Sequence, residues 1–255
     1  MSESKFTVPT EIIDLPSKGL LYAKENPLSS GEVEMKYMTA KEEDILTNVN
    51  LLRQGLAIEK MLKSLIKSPI EYESMSLGDR NGLLIAARIL AYGKDYTFKY
   101  RNPNTSEEEQ VTIDLQDLKY KEVDFSKFEN KNEFSFVLPH SKTEVTFKVL
   151  TVGDDKKIDE EIKGVKKSLG QDQGILSTRL KYQITSVNGD FSIKTIRDFI
   201  DGGYLLSRDS IELRKYISQV TPDIDTAVQF TLKDGTEIET DMPMGAEFFF
   251  PGSGL

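Results

Sequence analysis

Apolar residues recur with helical spacing in several stretches of the chain, and capping or breaking residues mark their ends. The helices predicted from this spacing are Ala40–Thr47, Gly55–Lys67, Gly78–Ala91, Asp154–Leu169, Ile175–Val187, Ser192–Ile200 and Ser207–Ser218. Thr39 and Glu42 form the S/T-x-x-E pattern of a capping box before the first of them. In Gly78–Ala91 apolar residues surround the helix axis almost completely, so we expect it to be the buried central helix.

Other stretches alternate apolar and polar residues with the period of two that is typical of strands. They predict three antiparallel hairpins: Tyr96–Tyr100 with Val111–Ile113, Glu133–Leu138 with Glu144–Leu150, and Ala227–Leu232 with Thr236–Thr240. Asp234-Gly235 supplies the turn of the third hairpin. The first and third hairpins resemble each other, although the similarity is too short to demonstrate a duplication. Together the elements predict an α+β fold, a helical core with a buried central helix and several antiparallel β-hairpins.

The chain divides into four segments by composition and pattern. They are an extended N-terminal arm (1–38), a helical core with the first hairpin (39–120), the second hairpin (121–151), and a helical region with the third hairpin and a Phe-rich C-terminal tail (152–255). Proline and glycine recur too often in the arm for a long helix, yet the arm is more apolar than a disordered tail. We therefore expect it to dock, either on its own domain or on a partner.

Composition narrows the classes of protein that this chain can belong to. Its 255 residues include no Cys and a single His, and their formal net charge is −9. Without Cys there are no disulfides and no thiolate metal sites, and one His cannot build a multi-His metal centre. The acidic balance argues against nucleic acid as a partner, because nonspecific affinity for phosphates comes from clustered Lys and Arg. Neither a membrane span nor a signal peptide is recognisable, so we expect a cytosolic protein without a membrane partner.

No group of residues predicts catalysis. The Walker loop, G-x-G-x-x-G and G-x-S-x-G motifs are all missing from the sequence. His140 is predicted to be an exposed turn residue, and Glu107-Glu108-Glu109 is predicted to be a solvated hairpin tip. Asp79 and Arg80 enter the most apolar helix either as a buried ion pair or on an exposed first turn, and the sequence does not decide between these. A carboxylate-based metal-dependent hydrolase and an unrelated cytosolic regulator stay open as alternatives to a protein-binding function.

Several motifs, taken in their order along the chain, resemble one phage protein family. They are Ile13–Tyr22 (IDLPSKGLLY), Gly31–Met35 (GEVEM), Met38–Leu46 (MTAKEEDIL), Leu77–Asn81 (LGDRN) continuing into Leu84–Arg88 (LIAAR), and Met244–Pro251 (MGAEFFFP). The family is that of the baseplate hub and assembly proteins of T-even-type contractile-tailed bacteriophages. The resemblance covers most of the chain and is strongest over residues 11–100.

The resemblance implies a non-enzymatic part or assembly factor of the baseplate hub. Its partners would be other phage hub and tail proteins, it would need no cofactor, and it would work in the host cytoplasm during assembly or in the virion tail. Some relatives carry Cys pairs at the hairpin tips, whereas this chain has Asn102-Pro103-Asn104 and Lys233-Asp234-Gly235 there. We therefore expect turn chemistry alone to hold its tips.

The arm, the acidic first turn of the first helix and the Phe-rich tail are the predicted partner-binding regions. The candidate residues are Leu15, Pro16, Gly19 and Tyr22 in the arm, Glu42, Glu43 and Asp44 in the acidic turn, and Phe248, Phe249 and Phe250 in the tail. An extended arm can add backbone to a partner's sheet, exposed carboxylates can steer a basic partner, and three adjacent Phe residues require cover.

Overall fold

The structure, a computed structural model, describes residues 7–169, 174–244 and 246–249. Its helices are α1 (Ala40–Leu46), α2 (Val49–Gln54), α3 (Ala57–Leu65), α4 (Leu77–Tyr92), α5 (Val152–Leu169), α6 (Ile175–Gln183), α7 (Ile193–Asp201), α8 (Ser207–Gln219) and α9 (Ala246–Phe249). Its strands are β1 (Thr10–Asp14), β2 (Glu32–Lys36), β3 (Asp95–Arg101), β4 (Glu108–Asp114), β5 (Phe134–Val137), β6 (Glu144–Phe147), β7 (Ile184–Val187), β8 (Ala227–Thr231) and β9 (Glu237–Asp241). The α+β fold is confirmed.

The strands form small antiparallel sheets. β1 pairs with β2, β3 with β4, and β8 with β9, while β5, β6 and β7 make a three-stranded sheet. The three predicted hairpins are therefore present. The β1–β2 pair was not predicted, and it shows that part of the arm folds back on the chain rather than running free.

Two predicted helices have different bounds in the structure. The predicted helix Ile175–Val187 stops at Gln183, and Ile184–Val187 is the strand β7, because its β-branched residues suit a pleated strand better than a helix. The predicted helix Gly55–Lys67 begins only at Ala57. Gly55 instead ends α2 with a left-handed backbone (φ 71°), a conformation that glycine adopts without strain.

Helix α4 lies in the core as predicted, with half of its residues buried. The Ser76 hydroxyl caps its first turn by accepting a hydrogen bond from the backbone of Asp79 at 3.1 Å. Its last turn is closed by Arg88, which is almost wholly buried and donates to the carbonyl oxygens of Gly93 (3.1 Å) and Asp95 (3.2 Å). A cation near the carboxyl end of a helix is favoured by the helix dipole.

The first and third hairpins pack against each other. The Phe230 ring of β8 makes edge-to-face contacts with Phe98 and Tyr100 of β3, at centroid distances of 5.9 and 5.2 Å. Such aromatic pairs add stability beyond the area that they bury. Phe98 belongs to a connected hydrophobic core that also takes residues from the arm and from α9, and the partly buried Tyr100 and Phe230 pack against it.

The tips of these two hairpins are joined by side chains as well as by their turns. The Asn102 amide nitrogen donates to Glu109 Oε1 at 3.0 Å within its own hairpin and to Asp234 Oδ2 at 3.1 Å in the other. Glu109 Oε2 in turn accepts from the backbone of Lys233 at 2.9 Å. The backbone and side-chain donors around Asp234 hold the pKa of its carboxyl well below the usual range. The expectation that turn chemistry alone holds the tips was therefore incomplete.

Four charged side chains of alternating sign join α3 to α5. Lys63 contacts Glu59 (2.8 Å) and Glu73 (2.6 Å), and Lys156 of α5 contacts the same two carboxylates at 2.7 and 3.1 Å. The hydrogen bond from Lys63 does most to hold the pKa of Glu73 at about 2, against the opposing effect of burial. The cluster fixes the start of α5 against the helical core.

Candidate functional sites

The arm is anchored to α4 through one buried carboxylate. Asp79 Oδ1 accepts the backbone N–H of Ser17 at 2.9 Å, and Oδ2 accepts the Ser17 hydroxyl at 2.8 Å and the Tyr22 hydroxyl. The Tyr22 oxygen accepts the backbone N–H of Ser76 at 2.9 Å. All four residues are buried, so we call this cluster the arm anchor.

The arm anchor strongly perturbs its ionisable groups. Burial raises the pKa of Asp79, although the hydrogen bonds from Tyr22 and Ser17 oppose that shift. Burial and the neighbouring Asp79 also raise the pKa of Tyr22 far above its ordinary value. A carboxylate enclosed by donors of its own chain holds structure together and has no access to a substrate.

Neither alternative for Asp79 and Arg80 is correct. Asp79 is fully buried but takes its hydrogen bonds from the arm, so the two residues form no ion pair. Arg80 is partly buried and lies nearer to Asp155 of α5, with 3.8 Å between the guanidinium and Oδ2. The two neighbours therefore serve different contacts.

Two glycines of α4 let other segments approach the arm anchor. A Cβ on Gly78 would overlap the carbonyl oxygen of Pro222, and one on Gly82 would lie 2.9 Å from the Pro16 ring. Asn81 donates to the Asp223 carboxylate at 3.1 Å. The arm, the first turns of α4 and the segment before β8 thus meet at one place.

The structure places the predicted arm residues inside the fold. Leu15, Pro16, Gly19 and Tyr22 are all buried. Gly19 has a left-handed backbone (φ 75°), and a Cβ there would overlap the Ser29 carbonyl oxygen. Of the two alternatives for the arm, docking on its own domain is what the structure shows, so a partner finds none of these four side chains at the free surface.

The predicted acidic turn is only partly exposed. Glu42 is fully buried and accepts hydrogen bonds from Lys36 (2.7 Å), the Thr39 backbone (3.0 Å) and Ser64 (3.2 Å). Burial works to raise the pKa of Glu42, but Lys36 and Thr39 outweigh it and hold the pKa at about 2. Its role is the predicted cap of α1. Glu43 and Asp44 are exposed and stay candidates for partner contact.

The described part of the Phe-rich tail is covered by the chain itself. Phe248 packs edge-to-face on Tyr96 and on Phe249, with both centroid distances at 5.0 Å, and the two Phe side chains are buried. Phe250 lies outside the described residues. The candidate residues of arm, acidic turn and tail are therefore not brought together into one exposed surface.

A second kind of site, which the sequence did not predict, is an apolar groove between α6 and α8. This α6–α8 groove has a volume of about 340 Å³ and is lined by Leu176, Ser177, Leu180, Ile200, Leu205, Ser207, Ser210, Ile211 and Arg214. Leu176 and Ile211 remain 47% and 43% exposed at its mouth. The apolar run Tyr204-Leu205-Leu206, directly after the Gly202-Gly203 break, was the available signal in the sequence.

Charge at the α6–α8 groove differs from that of the whole chain. In the part of the chain that the structure describes, Arg214 of the groove has no carboxylate within ion-pair distance and bonds only to the Ser210 carbonyl in its own helix. An uncompensated cation thus accompanies exposed apolar side chains on a chain of net charge −9.

The described residues contain neither a group of potential metal ligands nor a helix suited to crossing a membrane. Within 7–169, 174–244 and 246–249, no three or more His, Cys, Asp or Glu side chains are grouped so that they could hold a metal ion. None of the helices described there combines the length and apolarity needed to cross a membrane.

Comparison with known proteins identifies the family. The model of the T4 bacteriophage base plate protein family matches residues 21–250 of the chain. The chain belongs to this family. No significant match is found among the curated proteins or among the solved structures.

Membership makes this chain a phage baseplate protein, associated with the tail and with its other proteins. It also confirms the resemblance seen in the motifs. Ile13–Tyr22 and Leu77–Asn81, two of those motifs, supply Ser17, Tyr22 and Asp79 of the arm anchor. The strongest sequence signals of this baseplate protein therefore mark its internal architecture.

Proposed function

We propose that this baseplate protein is a non-enzymatic hub component or assembly factor that binds other hub or tail proteins while the baseplate is built. The α6–α8 groove is the observation that carries the proposal. Exposed apolar side chains around a concave surface are typical of a protein interface, since they cost free energy when left in water. The enclosure of Asp79 by its own chain adds support for a structural role over a catalytic one.

The partner at the α6–α8 groove would present apolar side chains together with carboxylates. A volume of about 340 Å³ takes the side chains of one face of a helix rather than a whole domain. Arg214 would then find the counter-charge that the described chain does not give it, which aids specificity and the rate of association. Glu43 and Asp44, exposed on α1, are proposed as a separate contact for a basic partner.

The test is an exchange of one groove residue in infected cells. Ile211→Asp places a carboxylate at the mouth of the groove, and because Ile211 is 43% exposed the fold should tolerate it. We expect the tagged variant to be lost from baseplate intermediates separated on a sucrose gradient, with hub and tail proteins identified by mass spectrometry. Val49→Asp is the matched control, since Val49 is exposed at the start of α2, where the helix dipole favours a carboxylate. If Ile211→Asp migrates with the baseplate intermediates to the same extent as Val49→Asp, the proposal is contradicted.

A further inference from the structure

The hairpin β8–β9 has an outer edge whose backbone groups are unpaired over most of its length. Leu232 donates to Thr236, and Met242 donates to Thr226, so the even-numbered residues of β8 turn their N–H and C=O groups toward β9. The alternation of strands then points the backbone groups of Ala227, Gln229 and Thr231 away from β9. In the described structure only the Ala227 N–H among these has a partner, the Asp225 carboxylate at 3.1 Å.

The chain itself begins to use this edge and then leaves it. Lys119–Lys121 pairs antiparallel with Asp223–Asp225, through Asp225 N–H to the Lys119 carbonyl and Lys121 N–H to the Asp223 carbonyl, both at 2.8 Å. Continuing that pairing would bring residues 115–117 alongside Ala227–Gln229. Those residues instead form a 3₁₀ turn, Leu115–Asp117, so the edge of β8 is left open where its own partner turns away.

Strand β4 borders the same space with its own free edge. Leu115 donates to Lys94, and Asn102 donates to Glu107, which assigns the odd-numbered residues of β4 to β3. The backbone groups of Gln110 and Thr112 therefore point outward. A groove of about 490 Å³ is lined by consecutive residues of β4 and β8, at 112–114 and 227–230, and by none of β3 or β9. It must lie along the two outer edges.

The charge of this edge groove is one-sided. Asp114, Asp117 and Asp225 line it, against Lys119 as the only cation among the lining residues, and Asp114 also pairs with Lys94 beside the groove. The neighbouring strand β9 adds Glu237, Glu239 and Asp241. Carboxylates along an open edge repel an acidic strand and attract a basic one, so they select the partner as well as protect the edge.

We propose that the edge groove between β4 and β8 binds an extended, basic segment of another baseplate protein, which adds as a strand along Ala227–Thr231. This proposal depends on the proposed function in one respect only, namely that the partner is a protein. Main-chain hydrogen bonds to Gln229 and Thr231 hold the segment, and the surrounding carboxylates form ion pairs with its Lys or Arg side chains. This site is separate from the α6–α8 groove.

The probe is a synthetic peptide of alternating Lys and Val, about six residues long. Added to the isotope-labelled full chain, it should shift the amide resonances of Gln229, Thr231, Gln110 and Thr112 and slow their hydrogen exchange. The same peptide with Glu in place of Lys should not bind. A version methylated on alternate backbone nitrogens should also fail, because it keeps every charge but lacks the donors that a strand requires.

A proline substitution tests the edge in the protein. Gln229→Pro removes an outward N–H and leaves the bonds between β8 and β9 in place, so we expect peptide affinity to fall about tenfold with the fold retained. Lys99→Pro is the matched control, because Lys99 lies at an outward position on β3, a strand that lines no part of the edge groove, and it should bind the peptide nearly as wild type does. Circular dichroism checks the folding of both.

The proposal is overturned if the Lys peptide does not bind at millimolar concentration, if Gln229→Pro binds it as wild type does, or if the methylated peptide binds equally well. Should the peptide fail while Ile211→Asp still releases the protein from baseplate intermediates, only the edge proposal falls. The measurement with methylated peptide uses the wild-type chain, so it decides even where the proline variant does not fold.

Discussion

At the scale of single residues, Asp79 is the group that holds the arm to α4. It receives hydrogen bonds from two residues of the arm, and within the described residues it pairs with no cation, so neutral donors surround this buried carboxyl. Burial raises its pKa, whereas the hydrogen-bonded carboxylate of Glu42 has its pKa lowered to about 2. The same chemical group therefore acts on stability with opposite dependence on pH at the two positions.

Asp79→Asn isolates the pH dependence that the arm anchor contributes. Because the pKa of Asp79 is higher in the folded than in the unfolded chain, its contribution to the free energy of unfolding is fully present below the unfolded pKa and is lost as pH rises through the folded pKa. We expect the stability of wild type relative to Asp79→Asn to fall as pH rises. Urea unfolding of both proteins across a pH series measures this difference.

The exposed Asp44 provides the control, since Asp44→Asn replaces a surface carboxylate that makes no described side-chain hydrogen bond. The quantity to follow is the free energy of unfolding of wild type minus that of Asp79→Asn. If this quantity stays constant or increases as pH rises, Asp79 is not a carboxyl whose charged form is destabilised by burial.

At the scale of elements, α4 is the helix against which other segments are placed. Gly78 and Gly82 have no side chains, so Pro222 and Pro16 can approach the helix closely at these positions. Glycine lowers helix stability by roughly 0.5–1 kcal/mol relative to Ala when nothing else is gained. In α4 that cost is accepted because a methyl group would displace neighbouring backbone or ring atoms.

Gly78→Ala and Gly164→Ala should therefore shift stability in opposite directions. Gly78→Ala forces the Pro222 segment away from α4 and should lower the free energy of unfolding by about 3 kcal/mol. Gly164 lies inside α5, and an added Cβ meets no atom within 4 Å. Gly164→Ala should raise stability by about 0.5–1 kcal/mol. Thermal unfolding measures both, and equal effects would show that the contact with Pro222 is not tight.

The sequence predicted those elements whose signals are local. Thr39 and Glu42 lie three residues apart and mark α1, and Asp234-Gly235 lies directly between β8 and β9. The arm anchor escaped prediction because Ser17 and Asp79 are 62 residues apart and no spacing rule links them. Strand β7 escaped because Ile184–Val187 is too short to separate from the helix before it by periodicity.

At the scale of the whole molecule, two contacts between distant parts of the chain matter most for these expectations. One is the arm anchor with Pro222 beside it, and the other is the pair of hairpin tips, where Asn102 meets Asp234 across 132 residues of sequence. The candidate partner surfaces are on α1, on α6 and α8, and along the outer edges of β4 and β8. The closures and the surfaces both join residues that are distant in the sequence, so both needed the folded chain to become visible.

A reciprocal exchange tests the closure at the hairpin tips. Asn102→Asp replaces the amide donor by a carboxylate beside Asp234 and Glu109 and should lower the free energy of unfolding by about 2 kcal/mol. Adding Asp234→Asn restores a donor and an acceptor in the opposite order, so the double variant should recover part of the loss. Urea unfolding of the single and double variants forms the cycle. Strictly additive losses would mean that the two side chains do not interact.

The contact between Gly78 and Pro222 also bears on how the chain folds during synthesis. Translation proceeds from the N-terminus, so α4 leaves the ribosome long before Pro222 has been made. Until then one face of an unusually apolar helix has no cover from the segment that packs on it in the finished fold. The nascent chain therefore carries this apolar surface exposed at least until Pro222 has been made, which is the condition under which host chaperones bind.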